Sequence, residues 1–148
     1  MPARPALGGA EITDLRFASP DLELWLENVR WLGVVLAGPL RLHGVRHASS
    51  REPRCPPDSY PLRAPAGIRR AAWGRDWLEI ACEQPTGPGE AVEPTYRIGF
   101  ARVTHALRPG LGRSLRAWAG LYPLAGDRGA HFPGDASVPI AALNAAGR

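Results

Sequence analysis

The chain has 148 residues, of which 45% are hydrophobic and 22% charged, and its formal net charge is +4. This length and balance fit one globular domain with a hydrophobic core, and they exclude a chain that is disordered throughout. All 18 basic residues are arginines, a bias typical of a GC-rich bacterial genome. The arginines are scattered rather than clustered, so a nucleic-acid binder stays a third hypothesis that rests on arginine content alone.

No segment of the sequence predicts secretion or a membrane span. Met1 to Ala10 has no apolar signal core, and the run from Trp31 to Ala37 is far shorter than the roughly 20 residues that cross a bilayer. Cys55 and Cys82 form neither a metal-binding pair motif nor a disulfide framework. We therefore expect reduced thiols, a cytoplasmic location and no membrane partner.

The first elements are predicted as a strand and a helix. Residues 1–10 have the composition of a disordered leader, and Glu11 to Ala18 alternates as a strand does. Ser19-Pro20-Asp21 is typical of a helix start, because serine caps free N–H groups and proline suits the first turn. The apolar residues that follow lie at helical spacing: Leu22, Trp25, Leu26, Val29 and Leu32. The leucines of this segment also alternate as in a strand, but the cap favours a helix ending at Gly33.

Strands dominate the middle of the sequence. Val34 to His47 is rich in valine and leucine, with a break at Gly38-Pro39. The proline-rich residues 48–66 predict a long loop, and a hairpin of residues 67–74 and 76–84 follows it. Residues 85–94 have the composition of a linker, and Tyr96 to Thr104 predicts a further strand.

The C-terminal part predicts two helices. One is indicated by apolar residues at helical spacing, which are Leu111, Leu115, Trp118 and Leu121. Gly112 and Gly120 weaken this helix, each by about 1 kcal/mol relative to alanine. Ser137-Val138-Pro139 before Ile140 predicts a second, short helix. The element order is therefore β-α-β-β-β followed by β-α, which predicts an α+β protein.

This order resembles the vicinal oxygen chelate superfamily, which includes glyoxalase I and the extradiol dioxygenases. The resembling segments are LRFASPDLE at residues 15–23, LGVV at 32–35, WGRDWLEI at 73–80 and RIGF at 97–100. The resemblance implies βαβββ modules that form a curved mixed sheet with flanking helices. Residues 11–148 would form a single domain, with a first module at 11–86 and a short or irregular second module at 95–148.

The metal site of that superfamily is incomplete in this sequence. The family holds a divalent ion with histidine, glutamine and glutamate side chains on inward-facing strands. The corresponding positions carry Asp14, Glu79 and Arg97, of which only Glu79 matches, and arginine cannot ligate a metal. We therefore expect no metal and no other cofactor.

Charged and aromatic residues at these positions are the candidate ligand-binding residues. Glu79 faces away from its apolar neighbours, either into a cleft or into solvent, and Arg97 can form an ion pair with it or bind an anion. Trp73 and Trp77 either line a pocket for a planar ligand or pack in the core. The candidate set is Asp14, Arg16, Trp73, Trp77, Glu79 and Arg97.

Other chemistry-bearing residues form no complete motif. His43 and His47 are four apart and would share a strand face, where they bind a metal, exchange protons or are simply solvated. No nucleophile elbow, phosphate-binding loop or zinc motif occurs, so the sequence leaves open whether the protein is an enzyme.

The sequence therefore supports two functional hypotheses. The first is a small-molecule-binding protein of glyoxalase-like fold without the family metal, either sequestering its ligand or acting as a metal-free enzyme. The alternative is a protein-interaction module, such as an adaptor, an immunity protein or the subunit of a homodimer. We expect a small organic ligand and a homodimer.

Overall fold

The computed structural model describes residues 4–109 and 136–145. The regular structure in these ranges is antiparallel β-sheet with one short helix. The elements are β1 (Glu11–Ala18), β2 (Asp21–Trp31), β3 (Val34–His43), β4 (Arg46–Arg51), β5 (Leu62–Arg63), β6 (Ala66–Trp73), β7 (Trp77–Gly87), β8 (Glu90–Val92), β9 (Thr95–Gly99), β10 (Arg102–His105), β11 (Arg108–Pro109), β12 (Ser137–Val138) and α1 (Ile140–Ala145).

The main sheet closes into a ring because two of its long strands are bent. β3 leads through Gly44 and Val45 into β4, and β9 leads through Phe100 and Ala101 into β10. β3 pairs with β10 and β4 pairs with β9, so the two bent strands form one continuous antiparallel ladder. The ring runs β1, β2, β3–β4, β9–β10, β7 and β6, and β6 pairs again with β1.

The two halves of the ring are related by an internal repeat. β1, β2 and β3 form a three-stranded meander, and β6, β7 and β9 form another. The two meanders have the same register with an offset of 56 residues, so that the pair Ile12↔Leu26 corresponds to the pair Ile68↔Cys82. A bulge follows both Ile12 and Ile68. The repeating unit is therefore an all-β meander.

Inward-facing side chains form the core of the ring. Leu22, Leu24, Leu40, Ile80 and Ile98 have no exposed surface, and they alternate with half-buried or exposed residues along their strands. Each such side chain contributes about 1.5–3 kcal/mol when fully buried. The interior of the ring is thus a mainly apolar core.

The predicted α+β class with flanking helices is wrong, and the predicted helix at residues 20–32 is the reason. This segment is β2, whose leucines alternate into the core between β1 and β3. A bulge between Leu26 and Val29, where Asn28 adopts a φ of 58°, shifts the inward face by one residue. That shift breaks the period of two and imitates helical spacing, so the sequence pattern misled the prediction.

Several other elements are confirmed. The strand at Glu11–Ala18, the hairpin of β6 and β7 and the short helix α1 lie where the sequence predicts them. The predicted leader packs instead from Arg4 onward, with Leu7 and Ala10 only 1% exposed. The predicted linker at residues 85–94 contains the end of β7 and β8. The helix predicted around Trp118 lies outside the described residues.

Candidate functional site

A groove opens where β1 and β6 separate. These strands pair only at Glu11↔Gly67 and Ile12↔Ala66, and from there β1 continues with β2 as its partner. The C-terminal segment lies beside the separated strands and leaves a groove of about 520 Å³ against β1. Its lining consists of Asp14, Leu15, Arg16, Phe17, Ala136, Ser137, Val138, Pro139 and Ala142.

The C-terminal wall of the groove is fixed by backbone pairing and by one side-chain clamp. β12 pairs with β5, and the Ala64 N–H donates to the carbonyl of Ala136 at 3.0 Å. The Asn144 side chain accepts from the Ala48 N–H at 2.6 Å and donates to the Ala48 carbonyl at 2.8 Å. Leu143 is fully buried. The wall is therefore anchored before the helix by β12 and within the helix by Leu143 and Asn144.

The groove combines an apolar floor with two charged groups. Leu15 and Val138 are buried, and Phe17 is half-buried. The Asp14 carboxylate accepts the Leu15 N–H at 2.9 Å, which orients it along the strand. Arg16 is exposed and forms no ion pair with any residue that the structure describes.

The carboxylate that faces Arg16 across the strands is engaged elsewhere. Glu23 lies opposite Arg16 in the β1–β2 register, and its Oε2 lies 2.6 Å from Nη2 of Arg41. The hydrogen bond and the charge of Glu23 raise the pKa of Arg41. Arg16 therefore remains the cation available to an anion in the groove.

Trp77, Glu79 and Arg97 form a second group on the outer face of β7 and β9. Glu79 and Arg97 are cross-strand neighbours, at the repeat positions of Glu23 and Arg41. No ion pair joins Glu79 to Arg97 in the described part of the chain; the Arg97 guanidinium stacks 4.1 Å above the Trp77 ring. This group does not line the groove, so the six candidate residues do not share one pocket.

Trp73 fixes the N-terminal segment to the sheet. Its Nε1 donates to the Pro5 carbonyl at 2.8 Å, and its ring meets Phe100 edge-on at 6.0 Å. The Arg4 guanidinium lies 5.2 Å from the centre of the same ring. These contacts give Trp73 a packing role.

A line of three polar side chains, Asp21, His43 and Thr104, crosses the outer face of β2, β3 and β10. Nδ1 of His43 lies 3.4 Å from Oδ2 of Asp21, and its Nε2 lies 2.7 Å from Oγ1 of Thr104. These two contacts fix the orientation of the imidazole ring. Sequence reasoning missed it, because the three residues come from three strands. His47 lies beyond Gly44 on β4, where its backbone φ is 53°.

Metal and thiol chemistry gain no support from the described residues. No group of three or more histidine, cysteine, aspartate or glutamate side chains within them is placed to hold a metal ion. Burial raises the pKa of the Cys82 thiol to about 12. Burial and the neighbouring Glu52 also raise the pKa of Cys55, so both thiols are protonated at neutral pH.

The geometry defines an antiparallel closed-sheet domain with a groove on its outer surface. In the described ranges no helix is both long enough and apolar enough to cross a bilayer. Comparisons with protein-family models, with curated proteins and with solved structures gave no significant match. The function has therefore to be argued from the groove and the surface alone.

Proposed function

We propose that this chain is a small-molecule-binding domain whose ligand is a small organic anion with an apolar body. The observation that carries the proposal is an exposed arginine at the rim of an apolar groove, Arg16, which has no ion pair among the residues that the structure describes. The groove volume of about 520 Å³ lies within the range of roughly 300–1,000 Å³ that is typical of small-ligand sites.

The lining indicates how such a ligand would lie. The Arg16 guanidinium offers paired N–H donors to a carboxylate or phosphate group. Phe17, Val138 and Ala142 offer apolar surface to the rest of the molecule. Asp14 repels a second anionic group and accepts a hydrogen bond from a ligand hydroxyl or amine. These features favour a ligand with one anionic end.

Binding rather than catalysis is the proposed role. The lining residues that the structure describes include no histidine and no cysteine, so they offer neither the usual general base near neutral pH nor a thiolate. A protein of this kind sequesters or senses its ligand.

Three variants test the proposal. Aromatic carboxylates and phosphorylated metabolites are screened by thermal shift, and binders are titrated by NMR. Arg16→Gln is expected to weaken binding at least about tenfold, because hydrogen bonds to charged groups contribute about 1.5–3 kcal/mol. Ala142→Trp fills the groove and is expected to abolish binding. Arg97→Gln removes an exposed arginine outside the groove and serves as the matched control.

The proposal fails in two ways that the same titrations reveal. Binders that Ala142→Trp and Arg97→Gln affect equally would place the ligand outside the groove. A screen in which no organic anion raises the melting temperature of the protein would exclude organic anions as its ligands. Circular dichroism of each variant establishes that it is folded before binding is compared.

A further inference from the structure

The hairpin between β2 and β3 ends in an exposed apolar tip, which we define as residues Trp31 to Val35. The exposed large hydrophobic side chains within residues 4–109 and 136–145 are Leu32 at 84%, Val34 at 43% and Val35 at 39%. All three lie on this tip. Single exposed apolar residues are ordinary, but a contiguous group at a protrusion marks an interaction site.

The tip is held rigidly. Trp31 pairs with Val34, so Leu32 and Gly33 are the two central residues of the turn, and both have positive φ angles, 54° and 79°. This is the backbone of a type I′ turn, which asparagine or glycine normally occupies. A leucine in this conformation is strained, and it exposes its side chain almost fully. Stability alone does not favour this choice of residue.

Arginines surround the base of the tip. Arg30 is exposed and pairs with Val35, and Arg108 is exposed and pairs with Ala37 on the other side of β3. The glutamate nearest in sequence, Glu27, is buried at 1% exposure. The tip is thus apolar at its apex and cationic at its base. A binding surface that matches the tip in charge and polarity is anionic on its outside and apolar just beneath.

We infer that the tip docks on an anionic lipid bilayer by inserting Leu32. Leu32 stands two residues beyond Arg30, which is about 7 Å along an extended strand. Side chains of interfacial proteins bury about 5–10 Å into the headgroup and acyl boundary. Insertion of Leu32 to this depth places the Arg30 guanidinium at the level of the lipid phosphates, which it binds through paired N–H donors.

A bilayer fits this tip better than a folded partner protein does. A stable protein interface takes roughly 20–30 residues from each side. The tip offers three exposed apolar side chains. A bilayer needs no matching shape, and the strength of interfacial binding scales with the buried apolar area and with the attraction of basic residues to anionic lipids. The expectation of no membrane partner, drawn from the lack of a spanning segment, did not address this mode of attachment.

Vesicle flotation of the full chain tests the inference, with phosphatidylcholine vesicles that contain or lack phosphatidylglycerol, at low and high salt. We expect flotation with phosphatidylglycerol vesicles at low salt. Leu32→Asn keeps the turn and is expected to lower the partition coefficient at least about tenfold, the effect of losing one buried leucine. Arg30→Gln is expected to lower it about fivefold. Arg97→Gln, an exposed arginine away from the tip, should leave it nearly unchanged.

Three outcomes would overturn the inference. One is no flotation with phosphatidylglycerol vesicles at low salt. Another is flotation that Leu32→Asn leaves intact while Arg97→Gln reduces it, which indicates attraction by overall charge. A third is absence of vesicle binding together with self-association that Leu32→Asn abolishes, which would assign the tip to a protein contact. The urea midpoint of Leu32→Asn shows that the variant is folded.

Discussion

Replacing Leu32 by asparagine should make the protein more stable. Leu32 adopts a φ of 54° at the first central position of the type I′ turn. The left-handed conformation disfavours an ordinary side chain by roughly 1–2 kcal/mol, and asparagine tolerates it better than other residues. Because Leu32 is 84% exposed, little apolar burial is lost. We expect the free energy of unfolding to rise by about 1 kcal/mol.

Asparagine is a cleaner test than glycine at this position. Glycine also removes the strain, but it adds conformational freedom to the unfolded chain and so offsets part of the gain. An increase of about 1 kcal/mol corresponds to a rise in melting temperature of roughly 3 °C in a chain of this size. Urea denaturation followed by circular dichroism measures it as a higher midpoint with an unchanged slope.

Val34→Asn is the matched control for this prediction. It removes an exposed apolar side chain from the same turn, but from a residue in extended conformation. It should leave the midpoint unchanged or lower it, because asparagine is disfavoured in strands. Equal or lower stability of Leu32→Asn than of the unmodified chain would show that the turn stores no strain.

Three further substitutions test the core, the thiol chemistry and the groove wall. Tyr96→Phe should lower the free energy of unfolding by about 2 kcal/mol, because the buried hydroxyl donates to the Pro61 carbonyl at 2.8 Å and accepts from Gln84 Nε2 at 3.0 Å; a urea-measured loss near zero would contradict this. Cys82→Ala should flatten the alkaline loss of stability. The thiol has a pKa of about 12 in the folded state against 9.0 in its ordinary state, so its contribution is complete below pH 9 and is lost as the pH rises toward 12; equal slopes in denaturant titrations across this range would refute it. Asn144→Ala removes both hydrogen bonds to the Ala48 backbone and should cost about 2 kcal/mol. Hydrogen exchange at α1 should then accelerate, and unchanged protection would show that the clamp is not needed.

The sequence pattern located most strand segments but not the fold class. Alternation in Glu11–Ala18 and in the hairpin of β6 and β7 reports one buried face, a local property that side-chain order alone encodes. The error at β2 came from two local signals, a cap-like Ser19-Pro20-Asp21 and a bulge after Leu26 that imitates a helical period. Only pairing with β1 and β3 overrides such signals.

The sequence predicted one wall of the candidate site but not the opposite wall. Asp14 was a candidate because it takes the first-strand ligand position of the superfamily that the sequence resembles, and both Asp14 and its neighbour Arg16 line the groove. The opposite wall, with Val138 and Ala142, follows them by more than a hundred positions in the chain. Nothing in the sequence indicates that this segment returns to β1. Glu79 and Arg97 were correctly expected to point away from the apolar core, but onto an outer face and not into a shared pocket.

The sequence by itself determined the inward-facing side chains of strands that alternate strictly, such as Leu78, Ile80 and Cys82 of β7, because burial follows alternation there. It did not predict the hairpin turn at Leu32 and Gly33, whose sequence is also typical of a helix end. The tertiary structure alone decided that the sheet closes on itself and that β1 and β6 part after two residue pairs. The physical reason is that closure depends on long-range hydrogen bonds between strands, whose partners no local pattern specifies. The groove and the line from Asp21 through His43 to Thr104 are consequences of that pairing.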